Sequence, residues 1–406
     1  MKKIQSTSAI TFANGFKASG IYCGIRKNKD KKDLALIFSE TKCSVASCYT
    51  TNKVKGAPII VTKENTKNGI AQAIICNSGN ANTCNADGID VANTTCLELA
   101  KELNISATDI VIASTGVIGQ PLNLKAIVNG IPSLVHNLSK EEGSSACEAI
   151  LTTDLVAKQA ACEVNINNTI VKIGGIAKGS GMINPNMATM LSFITTDANI
   201  SSETLQDVLD KVVASSYNMV SVDGDTSTND MVTILANGTA NNSEICKNTA
   251  EYDDFLNALT YICQTLSKMI AKDGEGATKL ITCNVINATS TEIARICSKS
   301  IISSSLVKAA VFGSDANWGR ILCAIGYCKA TIDINLVDIY FSSSKGTVAV
   351  CTNGAGILFD ENLAKEILLQ DEIIINVDLK SGSHRATAWG CDLTYDYVKI
   401  NGDYRT

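Results

Sequence analysis

Histidine is nearly absent: His136 and His384 are the two histidines in a chain of 406 residues. Both stand in polar, loop-like contexts ("PSLVHNLSK", "SGSHRATAW"), where a surface role is the commoner one. A Ser–His–Asp hydrolase therefore has poor raw material, and no GxSxG elbow is present. GxxxxGK[ST] and a strand-linked GxGxxG are missing too, which weakens a nucleotide-binding reading. Proline is scarce, at 4, and glycine stands at 28, which argues against low-complexity and fibrous classes. No apolar run approaches the length of a membrane span. The amino terminus "MKKIQSTSAITFANGF" lacks the long apolar core and small-residue cleavage site of a signal peptide. A cytoplasmic protein without a membrane partner is the expectation.

Positive charge is also in short supply. The net charge of -5 disfavours a nucleic-acid partner, which needs a concentrated basic surface. One basic run exists, "RKNKDKKD" at 26–33, short and interrupted by Asp, and it reads as a solvated loop. Cysteine, at 16, is plentiful, but no CxxC occurs, and the pairs Cys43/Cys48 and Cys323/Cys328 have no histidine beside them. Tighter spacing would be needed for a metal site. The cysteines read as small core hydrophobes in a reducing compartment, with no metal expected.

Apolar content of 45% and charged content of 18% fit a folded chain, long enough for two compact domains or one two-lobed body. Strand-like runs rich in β-branched residues end in Gly-, Asn- or Ser-rich turns, among them "AQAIICNSGNAN", "DIVIASTGVIG", "NTIVKIGGIAKGSG", "ATMLSFITTDA" and "MVTILANGTA". Helical periodicity marks "VANTTCLELAKEL", "SETLQDVLDKVVASSY", "YDDFLNALTYICQTLSKMIAKDG" and "STEIARICSKSIISSSLVKAAVFG". There is no strict βαβ rhythm, and consecutive strands near 169–198 imply hairpin pairing. A mixed or antiparallel sheet layered with helices follows. Internal seams are expected at 179–187 and 237–244.

With histidine scarce, one nucleophile needs none: a Thr whose own α-amine is its base. The reference pKa of that amine, about 7.7–8.0, suits it to accept a hydroxyl proton. Such an amine exists only where the preceding peptide bond has been cut. In "KGSGMINPNMATMLSFITTDA" a flexible run meets a strand at Ala188-Thr189, a small residue before a β-branched hydroxyl. Glycine in the approach permits strained geometry at the scissile bond, and the strand behind would hold the new terminus. From these residues alone an ordinary strand entry is the commoner reading. In "IVIASTGVIGQPL", a strand ending in Ser114-Thr115-Gly116 suits an oxyanion hole or, equally, a tight turn. Asp223, Asp225 and Asp230 lack the closing Glu of an EF-hand and read as a structural loop. Glu275, between glycines, suits an ammonium group, and Lys178 a carboxylate.

Taken together, "AKGSGMINPNMATMLSFITTDA", "GFKASGIYCGIR", "NSGNANTCNADG", "ASTGVIG", "LTTD", "DGDTSTND", "DGEGATK", "GSDANWGRI" and the ending "WGCDLTYDYVKINGDYRT" closely resemble the ornithine acetyltransferase family, over the whole chain. The resemblance implies an α/β fold, layered α+β, similar to N-terminal-nucleophile hydrolases, with mixed sheets sandwiched by helices. It implies autoproteolysis between Ala188 and Thr189, giving an α chain of 1–188 and a β chain of 189–406, two of each in a heterotetramer. Residue by residue, Thr189 matches the nucleophile, and Thr115 and Gly116 the oxyanion hole. Thr152 (Thr153 in the alternative register), Lys178, Glu275, Asn401 and Thr406 match substrate contacts.

The implied reaction moves acetyl from N2-acetyl-L-ornithine to L-glutamate through acetyl-Thr189, without a cofactor. Acetyl-CoA is an additional donor in bifunctional members. The rivals are a self-cleaving aminopeptidase or amidase of similar fold, in which water resolves the acyl-enzyme, and a non-catalytic binding protein in which Thr189 merely starts a strand.

Overall fold

Most of the β-branched runs become strands in the computed structural model, which describes residues 1–184 and 190–402. Ala188, Thr189 and Thr406 lie outside the described residues. With strands numbered along the chain, nine form a first sheet. Across it run β1 (Lys2–Ile4), β6 (Lys158–Ile166), β7 (Thr169–Lys178), β8 (Leu191–Thr196), β10 (Met231–Ala236), β3 (Leu34–Tyr49), β4 (Ile70–Asn80) and β5 (Ile110–Val117), with β2 (Phe16–Ile21) also on β3. The second sheet has seven, in the order β14 (Ala355–Gly356), β13 (Gly346–Thr352), β12 (Asp338–Ser343), β15 (Glu372–Asp378), β11 (Leu280–Ala288), β16 (His384–Cys391) and β9 (Val220–Ser221). Both are mixed. β4–β5, β8–β10, β11–β15 and β16–β9 run parallel, whereas β6–β7 and β7–β8 are the antiparallel neighbours expected near 169–198.

β8 is buried along its whole length, as a central strand with β-branched and aromatic side chains should be. It is held on both sides: Lys178 pairs with Leu191 across β7–β8, and Met231 with Leu191 across β8–β10. The first sheet therefore draws strands from both sides of residues 188 and 189. It is not divided there.

The helix Ala250–Lys272 lies against β6 and β7 and also reaches β16 and β11 of the second sheet. Tyr252, Phe255, Leu259, Ile262, Leu266 and Ile270 make its buried stripe, at the three- and four-residue spacing of one helix face. Each such side chain contributes roughly 1.5–3 kcal/mol by leaving water. Its end at Lys272 matches the sequence expectation. Its start lies a turn before Asp253, because Thr249 caps it by accepting the Tyr252 N–H at 3.2 Å.

The long periodic run at 290–313 is not one helix. It breaks at Ser304 into Thr291–Ser303 and Ser305–Phe312, and the Ser304 hydroxyl caps the second by accepting the Val307 N–H. His136 is the last residue of the helix Leu124–His136 rather than a loop residue, and His384 opens β16; both are exposed. The polar loop 237–244 is bonded back onto the first sheet, through Gly238 N–H to the Ala198 carbonyl and Ala240 N–H to that of Asp197. All sixteen cysteines are free thiols, and burial raises those of the core, Cys76 to about 12. Among the described residues no cluster fit for a metal ion occurs, and no helix is long and apolar enough to cross a membrane.

Candidate active site

Strand ends and loops from distant parts of the chain enclose a cavity of about 300 Å³. Thr115 and Gly116 reach it from the end of β5, Thr152 and Thr153 from the loop before β6, and Lys178 from the last position of β7. Glu275 comes from the turn after the helix Ala250–Lys272, and Asn401 from the helix Tyr395–Asn401. The chain leaves the described residues from this wall and returns to it, since Gly181 and Met182 line the cavity and so do Met190 and Leu191.

Gly116 has no substitute. Its φ is +133°, and an added Cβ would sit 2.3 Å from the Gly79 carbonyl carbon, because β4 and β5 run in register at Gly79 and Gly116. Lys178 Nζ donates to Thr115 Oγ1 at 3.3 Å, placing a cation beside the two oxyanion candidates. Burial lowers the Lys178 ammonium from its usual range, and the carboxylates of Asp154 and Asp230 pull it partly back. Asn401 Nδ2 donates to Glu275 Oε2 at 2.8 Å, fixing the one carboxylate from the predicted set. Gly181 backs that carboxylate so closely that a Cβ would fall 2.2 Å from Oε2.

Behind the cavity lies a buried ionic cluster. Lys158 Nζ bonds Asp154 Oδ1 at 2.7 Å and Asp273 Oδ2 at 2.5 Å, and the Lys158 and Asp154 side chains have no exposure. Asp154 also accepts the N–H groups of Thr152, at 2.9 Å, and Gly179, at 2.7 Å. The Asp273 carbonyl accepts the Ser180 hydroxyl at 2.7 Å, and the Ser180 carbonyl accepts the Glu275 N–H at 3.0 Å. The segments that carry Thr152, Lys178 and Glu275 are thus tied to one another. Burial opposes ionisation of the Asp154 carboxyl, but Lys178 and Lys158 hold it well below the usual carboxylate range.

Asp230 is the residue the sequence reading undervalued. Its motif reads as a structural loop, but it lies in the cavity wall, and among the described residues its Oδ2 has no hydrogen-bond partner. Burial raises its carboxyl well above the usual range, against the pull of Lys178 and the Met190 N–H. Its neighbour Asn229 bonds Thr83 at 2.6 Å and the carbonyls of Ala81 and Ser114 at 2.6 and 2.9 Å, fastening the start of β10 to the end of β5. Asp223, by contrast, is structural as expected: it accepts the N–H groups of Met182 and Ile183 at 2.6 and 2.8 Å.

The profile of the ArgJ family matches residues 17–406, nearly the whole chain. The chain belongs to the ArgJ family. An arginine biosynthesis bifunctional protein ArgJ from Caldanaerobacter subterraneus subsp. tengcongensis is 52% identical over 398 residues, covering 98% of each chain. ArgJ 1 from Clostridium acetobutylicum is 50% identical over 405 residues, covering 100% of this chain and 99% of that one. A crystal structure of ArgJ from Bacillus halodurans aligns at 42% identity with a TM-score of 0.49, over 52% of this chain and 97% of that one. As a member of the ArgJ family, the chain is an acetyltransferase of arginine biosynthesis. Of the residues that the resemblance singles out, Thr115, Gly116, Thr152, Lys178, Glu275 and Asn401 meet in the one cavity, and Thr153 lines it too.

Proposed function

We propose that this member of the ArgJ family cuts itself between Ala188 and Thr189 and then carries acetyl from N2-acetyl-L-ornithine to L-glutamate on Thr189. One observation carries the reading: six residues assigned to one reaction come from segments far apart in sequence and line one cavity, together with Met190, the residue next to Thr189. In the proposed reaction Thr189 supplies the hydroxyl nucleophile and its freed α-amine takes up the hydroxyl proton. The amide C–N bond of acetylornithine breaks, the proton passes to the departing α-amine, and an acetyl ester forms on Thr189. Thr115 and Gly116 stabilise the tetrahedral oxyanion, an effect worth on the order of 3 kcal/mol per donor. Lys178 receives the substrate carboxylate. Glu275, steadied by Asn401, receives the ornithine ammonium, and Thr152 and Thr406 complete the contacts. Glutamate then attacks the ester through its own amine and leaves as N-acetylglutamate.

After the cut, 1–188 and 189–406 would stay together, because the ladders of β8 with β7 and of β10 with β3 cross between the two pieces. Two copies of each form the proposed heterotetramer, working in the cytoplasm. Denaturing electrophoresis with amino-terminal sequencing tests the cut, and a fragment beginning at Thr189 is expected. Mixing the protein with acetylornithine and glutamate tests the transfer. Acetate released without acetylglutamate would make the protein a hydrolase instead.

A further inference from the structure

One carboxyl in the cavity wall is left with an oxygen to spare. Asp230 is 4% exposed, and its Oδ2 has no hydrogen-bond partner among the described residues. The chain around it is held on both sides. Before it, Asn229 is bonded to Thr83 and to the carbonyls of Ala81 and Ser114, and the Asp230 carbonyl accepts the Thr50 N–H at 3.0 Å. After it, Met231 opens β10, paired in parallel with Leu191 of β8, and the Met231 N–H bonds the Met190 carbonyl at 3.0 Å. One step back along these strands Asp230 stands level with Met190, whose N–H bonds its carboxyl, as does the Ser227 side chain.

Thr189 precedes Met190, and covalent geometry keeps their two nitrogens within about 4 Å of each other. Cutting the Ala188–Thr189 bond turns the Thr189 nitrogen from an amide into an amine, with hydrogens it lacked before. That amine arises within a few ångströms of a fixed, buried carboxyl. Buried polar atoms are seldom left unpaired without a reason, and a partner supplied by the cut is one. The other charged groups around the cavity are engaged elsewhere. Glu275 accepts from Asn401, Asp154 accepts from Lys158, and Lys178, whose charge bears on Asp230, donates to Thr115 Oγ1.

We propose that Asp230 is the positioning residue for the Thr189 amine: its free oxygen accepts a hydrogen bond from that amine and steadies the charge the amine gains. The inference rests on the reading that a cut frees Thr189. When the Thr189 hydroxyl attacks acetylornithine, its proton passes to the amine, which becomes an ammonium beside the Asp230 carboxylate. The proton then goes on to the departing amine of ornithine, and the carboxylate keeps its charge throughout. The buried aspartate of a Ser–His–Asp triad serves its imidazolium in the same way, without taking the proton itself.

The test compares Asp230→Asn and Asp230→Glu with the unaltered protein. The role begins with the amine, so both variants should still cut themselves, which a denaturing gel reads. Acetylation of each protein by acetylornithine, without glutamate, is followed by mass spectrometry against substrate concentration and pH. For Asp230→Asn the rate at saturation should fall by about a hundredfold, the worth of a well-held base, while the half-saturating concentration stays within about twofold. A carboxylate beside an amine favours the protonated form, whereas the base works unprotonated, so the rate climbs with pH as the amine loses its proton. Without the carboxylate that climb should move to lower pH by about one unit or more. Lys178 is read as binding substrate, so an effect on it would appear in the half-saturating concentration instead. Asp230→Glu keeps the charge and should keep the climb in place and recover most of the rate. An unchanged rate, a climb that does not move, a loss confined to the half-saturating concentration, or a folded Asp230→Asn chain that stays uncut would each overturn the proposal. Should the variants not fold, a crystal structure of the cut, unaltered protein decides. About 2.7–3.2 Å between the Thr189 nitrogen and an Asp230 carboxylate oxygen is expected, and a separation beyond about 4 Å would overturn it. If the unaltered protein yields no fragment beginning at Thr189, the reading of the cut fails first.

Discussion

Replacing Asp154 by Asn removes one charge from a buried Asp–Lys–Asp cluster while keeping its shape. Four donors converge on the Asp154 carboxylate: Lys158 Nζ, the N–H groups of Thr152 and Gly179, and the Thr152 hydroxyl. An amide supplies one acceptor oxygen and turns its own donors towards at least one of these four. Breaking a buried pair from one side costs about 3–5 kcal/mol, and the lower end applies because Lys158 keeps Asp273. With an unfolding entropy of roughly 2.1 cal/mol/K per residue, a loss of about 3 kcal/mol lowers the melting temperature by about 4 °C in a chain of 406 residues. The pH dependence has a definite sign. A carboxyl held below its unfolded value contributes stability that is complete above about pH 4 and is lost as pH falls towards its folded value. The gap between the two proteins should therefore be widest near neutrality and close in acid. Thermal denaturation against pH reads this, and acetylornithine kinetics should show KM rising, because Thr152, Lys178 and Glu275 lose a shared anchor. Melting temperature and KM both equal to those of the unaltered protein would refute the bracing role.

Glu275→Ala should raise KM for acetylornithine by on the order of ten- to a hundredfold, the worth of a lost charge-assisted hydrogen bond, and leave the Ala188–Thr189 cut intact on a denaturing gel. Lys178 titrates below the ordinary lysine range, and its cationic form is the one that holds a carboxylate. Acetylornithine affinity should therefore decline with rising pH before ordinary lysines deprotonate, and Lys178→Arg should move that decline to higher pH in a KM profile. Thr189→Ala should yield an uncut, inactive chain on the same gel, since it removes the hydroxyl that attacks both the scissile bond and the acetyl group.

Local pattern was enough to place what local physics decides. β-Branched runs closed by Gly and Asn became β4, β5, β7, β8 and β10, and the apolar stripe of 250–272 became a helix. The break at Ser304 escaped notice because the periodicity continues through it; only the capping hydroxyl reveals the stop. The ionic cluster was hidden for another reason. Lys158 and Asp273 are 115 positions apart, and no local pattern announces such a pair. Asp230 shows how burial reverses a reading: beside Asp223 and Asp225 it looks like one of three loop aspartates, yet it lines the cavity near Lys178. The run at 26–33 is exposed over 27–31, as a solvated loop should be, but Asp33 at its end is buried and folds Cys23–Arg26 around one carboxylate. Thr115, Lys178 and Glu275 were each plausible from chemistry, but the family resemblance was needed to select them as a set.

The central claim is that acetyl rests on Thr189 between the two half-reactions. Mass spectrometry of the purified protein, incubated with acetylornithine and no glutamate, tests it most directly. The account predicts two fragments, 1–188 and 189–406, with one acetyl group on the second that maps to Thr189 and disappears when glutamate is added. An intact chain that still transfers acetyl, or an acetyl group on any other residue that glutamate discharges, would contradict it.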